Sequence, residues 1–152
     1  MSDLPRVTAL AAYALVRERG YAYLDVRTVP EFDTGHPEGA YNIPLGEPGA
    51  GGMVDNPSFL AEVQAAFTTQ TPLVVGCASG VRSLRAAELL RVHGFTQVVE
   101  QRAGMDGVRD AFGRVKEKGY RAEGLPVATR TAPGRSRQEL RALYPRASAP
   151  RE

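Results

Sequence analysis

The chain has 152 residues, of which 43% are hydrophobic and 24% charged, the balance of a globular protein with one sizeable core. Its net charge of +2 is unevenly placed: residues 130–152 carry six arginines against Glu139 and Glu152, a balance of +4, which leaves −2 for residues 1–129. The main body therefore has no nucleic-acid footprint, and no run approaches the roughly 20 apolar residues of a membrane span.

The first residues place Asp3 early and lack a basic region before an apolar block. They make a poor signal peptide, and a cytoplasmic setting is expected. Thr8 predicts a helix cap, with Leu10, Tyr13, Ala14 and Val16 or Arg17 at helical spacing and an end near Gly20. Residues 21–26 read as a strand, residues 29–35 as one helical turn opened by Pro30, and residues 40–45 as a second strand. A glycine-rich loop is expected over 46–56, then a helix from Asn56 or Ser58 carrying Phe59, Leu60, Val63, Ala66 and Phe67.

Residues 72–76, Pro-Leu-Val-Val-Gly, are the near-continuous apolar run of a strand buried on both faces. A helix over 83–94 follows, with Gly94 at its C-terminal stop, then a strand over 95–100 and a helix over about 106–118 stopped by Gly119. This alternation predicts a three-layer α/β/α fold around a central parallel sheet of about five strands. Residues 5–128 form the expected domain. Residues 129–152 read as a linker and a solvated basic extension, helical near 137–144 and frayed at its end.

Cys77 is the single cysteine, so no internal disulfide exists, and two histidines without nearby cysteines make a poor metal site. A free thiol suits a reducing compartment. Cys77 directly follows the apolar strand, where open α/β sheets bind their ligands. The next residues, Ala78-Ser79-Gly80-Val81-Arg82-Ser83, must turn the chain into a helix beginning near Val81 or Ser83. Such a turn aims backbone N–H groups inward, and a helix N-terminus adds positive potential. Both favour a thiolate over a thiol, as does Arg82 if it turns inward. Gly80 supplies the unusual backbone angle. A strand-end cysteine alone is ordinarily packing. The cysteine, small-residue loop, glycine, arginine and helix together describe a cradle for an anionic nucleophile.

Three ordered segments resemble the single-domain rhodaneses, the thiosulfate sulfurtransferases. They are residues 23–45, with Asp25-Val26-Arg27, Glu31-Phe32 and Gly35-His36 through Asn42-Ile43-Pro44; the loop 77–83; and the closing stretch 102–127, ending Gly-Leu-Pro-Val. Ala103 and Val108 stand where the family often has glycine and tryptophan, and Pro37 follows Gly35-His36 in place of isoleucine. The resemblance implies a double displacement with no cofactor. Cys77 takes the outer sulfur of thiosulfate as a persulfide, and cyanide or a thiol then removes it. Amides of residues 78–83 are expected to bind the anionic donor. Asp25 is expected either to accept from loop amides beside Cys77 or to serve its own turn, and Arg27 to pair with Glu31. His36 and His93 are expected to be structural.

Rival readings remain open at this stage. Cysteine phosphatases and arsenate reductases of the cell-cycle type have the same strand–loop–helix plan, but with five residues between cysteine and arginine where this chain has four. A persulfide relay to a protein acceptor, docked by the arginine-rich tail, is the second rival. An inactive rhodanese-like binding module is disfavoured by the presence of Cys77.

Overall fold

The computed structural model describes residues 4–143. In chain order they form β1 (Arg6–Val7), α1 (Ala9–Arg19), β2 (Ala22–Asp25), α2 (Val29–Asp33), β3 (His36–Pro37), β4 (Tyr41–Asn42), β5 (Gly46–Gly49) and β6 (Gly52–Asp55). These are followed by α3 (Phe59–Ala66), β7 (Leu73–Gly76), α4 (Val81–Val92), β8 (Val98–Gln101), β9 (Val108–Arg109), β10 (Val115–Glu117), β11 (Val127–Ala128) and α5 (Arg137–Arg141). Thr8 caps α1 as expected, its hydroxyl accepting from the Ala11 amide at 3.1 Å. Thr28 and Glu31 form a reciprocal capping box that starts α2.

The main sheet has the order β1-β8-β7-β2-β4 and is parallel throughout. From β2 the chain steps outward to β4, whereas from β7 it steps outward the other way to β8. The C-terminal ends of β2 and β7 therefore flank a topological switch point, where a crevice opens. Alternating side chains feed two cores. Leu24, Leu73, Val75 and Val98 face α3 and α4, where Phe59, Val63, Ala87 and Leu90 are buried. Tyr23, Val74 and Val99 face α1 and α2, against Ala9, Ala12 and Phe32. Each large apolar side chain buried this way stabilises the fold by about 1.5–3 kcal/mol.

The structure corrects several boundaries. No helix forms over 106–118; β9 and β10 make an antiparallel hairpin there. Asp110 organises its turn by accepting from the Phe112 and Arg114 amides at 2.8 and 2.9 Å. A side chain at Gly107 would meet the Glu117 carbonyl at 2.7 Å, so glycine lets the two strands close. Residues 46–56 are likewise a hairpin, β5 on β6, and the strand expected over 40–45 shortens to β4 at the sheet edge. Conversely, β1 escaped the sequence reading because two residues show no periodicity. It is fixed by Glu100 N to Pro5 O at 2.9 Å and Arg102 N to Val7 O at 3.0 Å.

The described part of the C-terminal extension is anchored to the fold at several points, although much of its surface stays exposed. Leu140 of α5 is buried in the α3/α4 core. Arg137 bonds buried Glu62 through two nitrogens, at 3.2 and 3.0 Å, and also pairs with Glu47. Arg135 donates to the Gly39 carbonyl at 2.7 Å and lies over the Tyr41 ring. His36 is fully buried, stacked on Phe32, and its ring nitrogens bond the Phe32 and Arg130 carbonyls. The structural role expected of His36 matches this placement. Arg146, Arg151 and the expected frayed end lie outside the described residues.

Candidate active site

Cys77 directly follows β7, the central strand, and is 2% exposed. The next three residues reverse the chain, and Gly80 has φ +96 at the start of α4. A side chain at Gly80 would strike the Arg102 carbonyl oxygen at 2.3 Å, so both conformation and space demand glycine. The loop rests on the segment after β8. Met105 N donates to Cys77 O at 2.9 Å and Asp106 N to Ala78 O at 2.8 Å. Gly104, at φ +65, permits this contact, because a Cβ there would lie 2.3 Å from the Ala78 oxygen.

Two of the six loop residues expected to form the cradle bring amides to the sulfur. Gly80 N–H donates to Cys77 Sγ at 3.2 Å and Ser83 N–H at 3.3 Å. The thiol donates to Ser83 Oγ at 3.3 Å, and the Ser83 hydroxyl donates to Glu100 Oε2 at 2.5 Å. Ser79, Gly80 and Val81 also line an open depression over the loop, and Ala78 and Ser79 line a second one beside it.

Arg82 and Arg27 stand differently from expectation, while Asp25 takes one of its two expected roles. Arg82 reaches neither the sulfur nor the loop amides; it forms a two-pronged pair with Glu31, at 2.7 and 3.0 Å. That bond, more than any other cause, holds the Glu31 carboxyl down to about 2. Arg27 does not pair with Glu31. Its guanidinium bonds Asp25 through Nε and Nη2 and donates to the Gly35 carbonyl at 2.7 Å, with all three groups inside the fold. The physical reason is the capping box: it commits Glu31 to the Thr28 end of α2, facing α4, while Arg27 points inward. Asp25 accepts from the Arg27 amide at 3.0 Å, so of its two expected roles it takes the turn. Asn42 locks that turn by donating to the Asp25 and Arg27 carbonyls, each at 3.0 Å.

Sequence reasoning missed Glu100, Gln101 and the β9–β10 hairpin. Glu100 is fully buried behind Ser83, with Arg6 Nε on its other oxygen at 2.5 Å. Its acidic character inside an apolar strand was the available signal. Gln101 accepts from the Ala103 and Gly104 amides at 2.9 and 2.8 Å and shapes the bend on which the loop rests. Arg6, Arg85, Arg102, Lys116 and Glu117 also line the first depression, where Arg6 pairs with Glu100, Arg85 with Asp55 and Arg102 with Glu117. Among the described residues no cluster of three or more histidine, cysteine or acidic side chains can hold a metal. No helix there is long and apolar enough to cross a membrane.

Fold and site together define a parallel α/β domain that presents one enclosed cysteine from its central strand to an amide-lined loop. Residues 8–111 match the Rhodanese-like domain, and the chain belongs to that family. It is 43% identical over 111 residues to thiosulfate sulfurtransferase 16, chloroplastic, of Arabidopsis thaliana, covering 71% of this chain and 80% of that protein. It is 45% identical over 87 residues to senescence-associated protein DIN1 of Raphanus sativus, covering 57% of this chain but only 48% of that relative's length. Among solved structures, the crystal structure of Rv0390 from M. tuberculosis superposes with a TM-score of 0.69 at 28% identity. That match covers 85% of this chain and all of the other.

Proposed function

We propose that the protein is a sulfurtransferase that carries a sulfane sulfur on Cys77, with thiosulfate as donor and a thiol or cyanide as acceptor. The observation that carries the reading is the convergence of the Gly80 and Ser83 amides on Cys77 Sγ. Donors held in place beforehand stabilise negative charge on sulfur without reorganisation during reaction. In the first step the thiolate attacks the outer sulfur of thiosulfate. The sulfur–sulfur bond of the donor breaks, sulfite leaves with the electron pair, and a persulfide remains on Cys77. In the second step the acceptor takes the terminal sulfur and the thiolate is restored. Lys116, on the rim of the depression over the loop, suits an anionic donor. A reducing compartment such as the cytoplasm is the proposed setting, since it keeps a single thiol free.

Two features argue against the rivals. Both outer nitrogens of Arg82 are occupied by Glu31, whereas a phosphatase reading needs that guanidinium on a phosphoryl oxygen. Arg135, Arg137 and Arg141 are committed within the fold, which weakens the tail as a docking element for an acidic partner protein. The test is intact-protein mass spectrometry after exposure to thiosulfate. The wild-type chain is expected to gain one sulfur atom, and Cys77→Ser none. Equal gain by both, or gain by neither, would sink the reading.

A further inference from the structure

The sulfur chemistry above leaves Glu100 without a task. It lies on β8, fully enclosed, between Arg6 from β1 and Ser83 from α4. Its Oε2 receives the Ser83 hydroxyl at 2.5 Å, and Ser83 Oγ lies 3.3 Å from Cys77 Sγ. A serine hydroxyl has one hydrogen to give. While Glu100 is ionised, that hydrogen is committed to the carboxylate, and Ser83 offers Cys77 only lone pairs. Lone pairs suit a thiol and oppose a thiolate. A thiolate beside an ionised Glu100 would also place two anions in one enclosed network, which is costly at low dielectric. Moving a single proton removes both conflicts.

We propose that Glu100 is the proton acceptor for Cys77, reached through Ser83. The thiol proton passes to Ser83 Oγ as the Ser83 hydroxyl proton passes to Glu100 Oε2. One S–H and one O–H bond break, a new Ser83 O–H and a carboxyl O–H form, and the network keeps one negative charge throughout. The product is a thiolate that receives a hydrogen bond from Ser83, beside a neutral carboxyl. Return of the acceptor step reverses the relay. Arg6 on Oε1 favours the ionised carboxylate, so the proton is held only for the life of the thiolate, and it is taken on Oε2. The other nearby cations are engaged elsewhere: Arg102 with Glu117 and the Arg6 carbonyl, and Arg82 with Glu31. On the opposite sheet face Tyr23 bonds Gln101, and Asp25 is held by Arg27.

The purpose of the relay rests on the sulfurtransferase reading, but its existence is tested on the thiol itself. The rate of Cys77 alkylation by iodoacetamide is measured against pH for the full chain, with Glu100→Gln, Ser83→Ala and Ser83→Thr alongside. Wild type is expected to rise in two steps, because Cys77 and Glu100 share one proton before losing the second. Glu100→Gln and Ser83→Ala are expected to rise in one step, and Ser83→Thr to restore two. A wild-type profile that superimposes on Glu100→Gln, or two steps retained in Ser83→Ala, overturns the proposal. If Glu100→Gln does not fold by circular dichroism, the two Ser83 variants decide it. Sulfur gain from thiosulfate is read separately, so a two-step chain that gains no sulfur would refute the transfer reading and leave the relay standing.

Discussion

Arg82 and Glu31, 51 positions apart, meet in a two-pronged ion pair that ties the first turn of α4 to α2 at the edge of the cysteine loop. The pair is partly enclosed, with side-chain exposures of 20% and 37%. Paired planar groups of this kind resist replacement of arginine by lysine, which offers one point charge in place of a fork.

This pair sets an acid limb on stability. The Glu31 carboxyl is held at about 2 in the folded chain, below its ordinary 4.5, chiefly by the Arg82 bond. Its contribution is therefore complete above about pH 4.5 and is lost as pH falls toward 2. Urea midpoints measured between pH 7 and 2 are expected to fall less steeply for Glu31→Gln than for wild type. Parallel curves would show that the pair adds nothing to folding.

The alkaline limb belongs to the tyrosines. Burial, reinforced by Asp25, pushes the Tyr23 phenol well above its usual range, and burial also raises Tyr120. Their folded values exceed the unfolded ones, so their contribution is complete below about pH 10 and declines as pH climbs further. Ultraviolet titration is expected to show these two phenols ionising only as the near-ultraviolet dichroism of the fold is lost. Ionisation of all six tyrosines before unfolding would contradict the placement.

Gly104 is expected to be as sensitive as residues in the loop itself. A Cβ there would meet the Ala78 and Cys77 carbonyl oxygens at 2.3 and 2.5 Å, on a backbone already at φ +65. Gly104→Ala should cost at least about 2 kcal/mol by thermal or urea melts, combining left-handed strain with a backbone clash. Because the clash displaces the Cys77 carbonyl, sulfur uptake should fall as well. An unchanged melt would mean the loop yields freely.

The docked extension makes a separate claim. Leu140 is 2% exposed against the α3/α4 core, and Leu140→Ala is expected to destabilise the fold by roughly 2–4 kcal/mol. Arg137→Ala, which strips buried Glu62 of its two-pronged partner, should also destabilise, softened by the remaining Arg141 contact at 3.3 Å. A solvated tail would show neither effect in denaturant midpoints.

Much of the fold was legible in the chain because local chemistry and tertiary need agree there. The apolar strand before Cys77, the Thr8 cap, the helix after the loop and the parallel alternation are each written in neighbouring residues. So was the position of the cysteine at a strand end, since only a tight small-residue turn connects Gly76 to Val81. What the chain alone could not decide was pairing. Arg27 has Asp25 two residues before it and Glu31 four residues after it, and only the orientation of α2 assigned one to Arg27 and the other to Arg82. The hairpin at 108–117 was hidden because its apolar residues also fit a helical spacing, and a long-range approach of Gly107 to Glu117 broke the tie. The arginines of the tail looked solvated because their partners, Glu62 and Glu47, lie far back in the chain. Glu100 came within reach of Cys77 only through Ser83, because β8 lies beside β7 and the first turn of α4 sets the Ser83 hydroxyl between the two side chains, a meeting of three segments with no local relation in the chain.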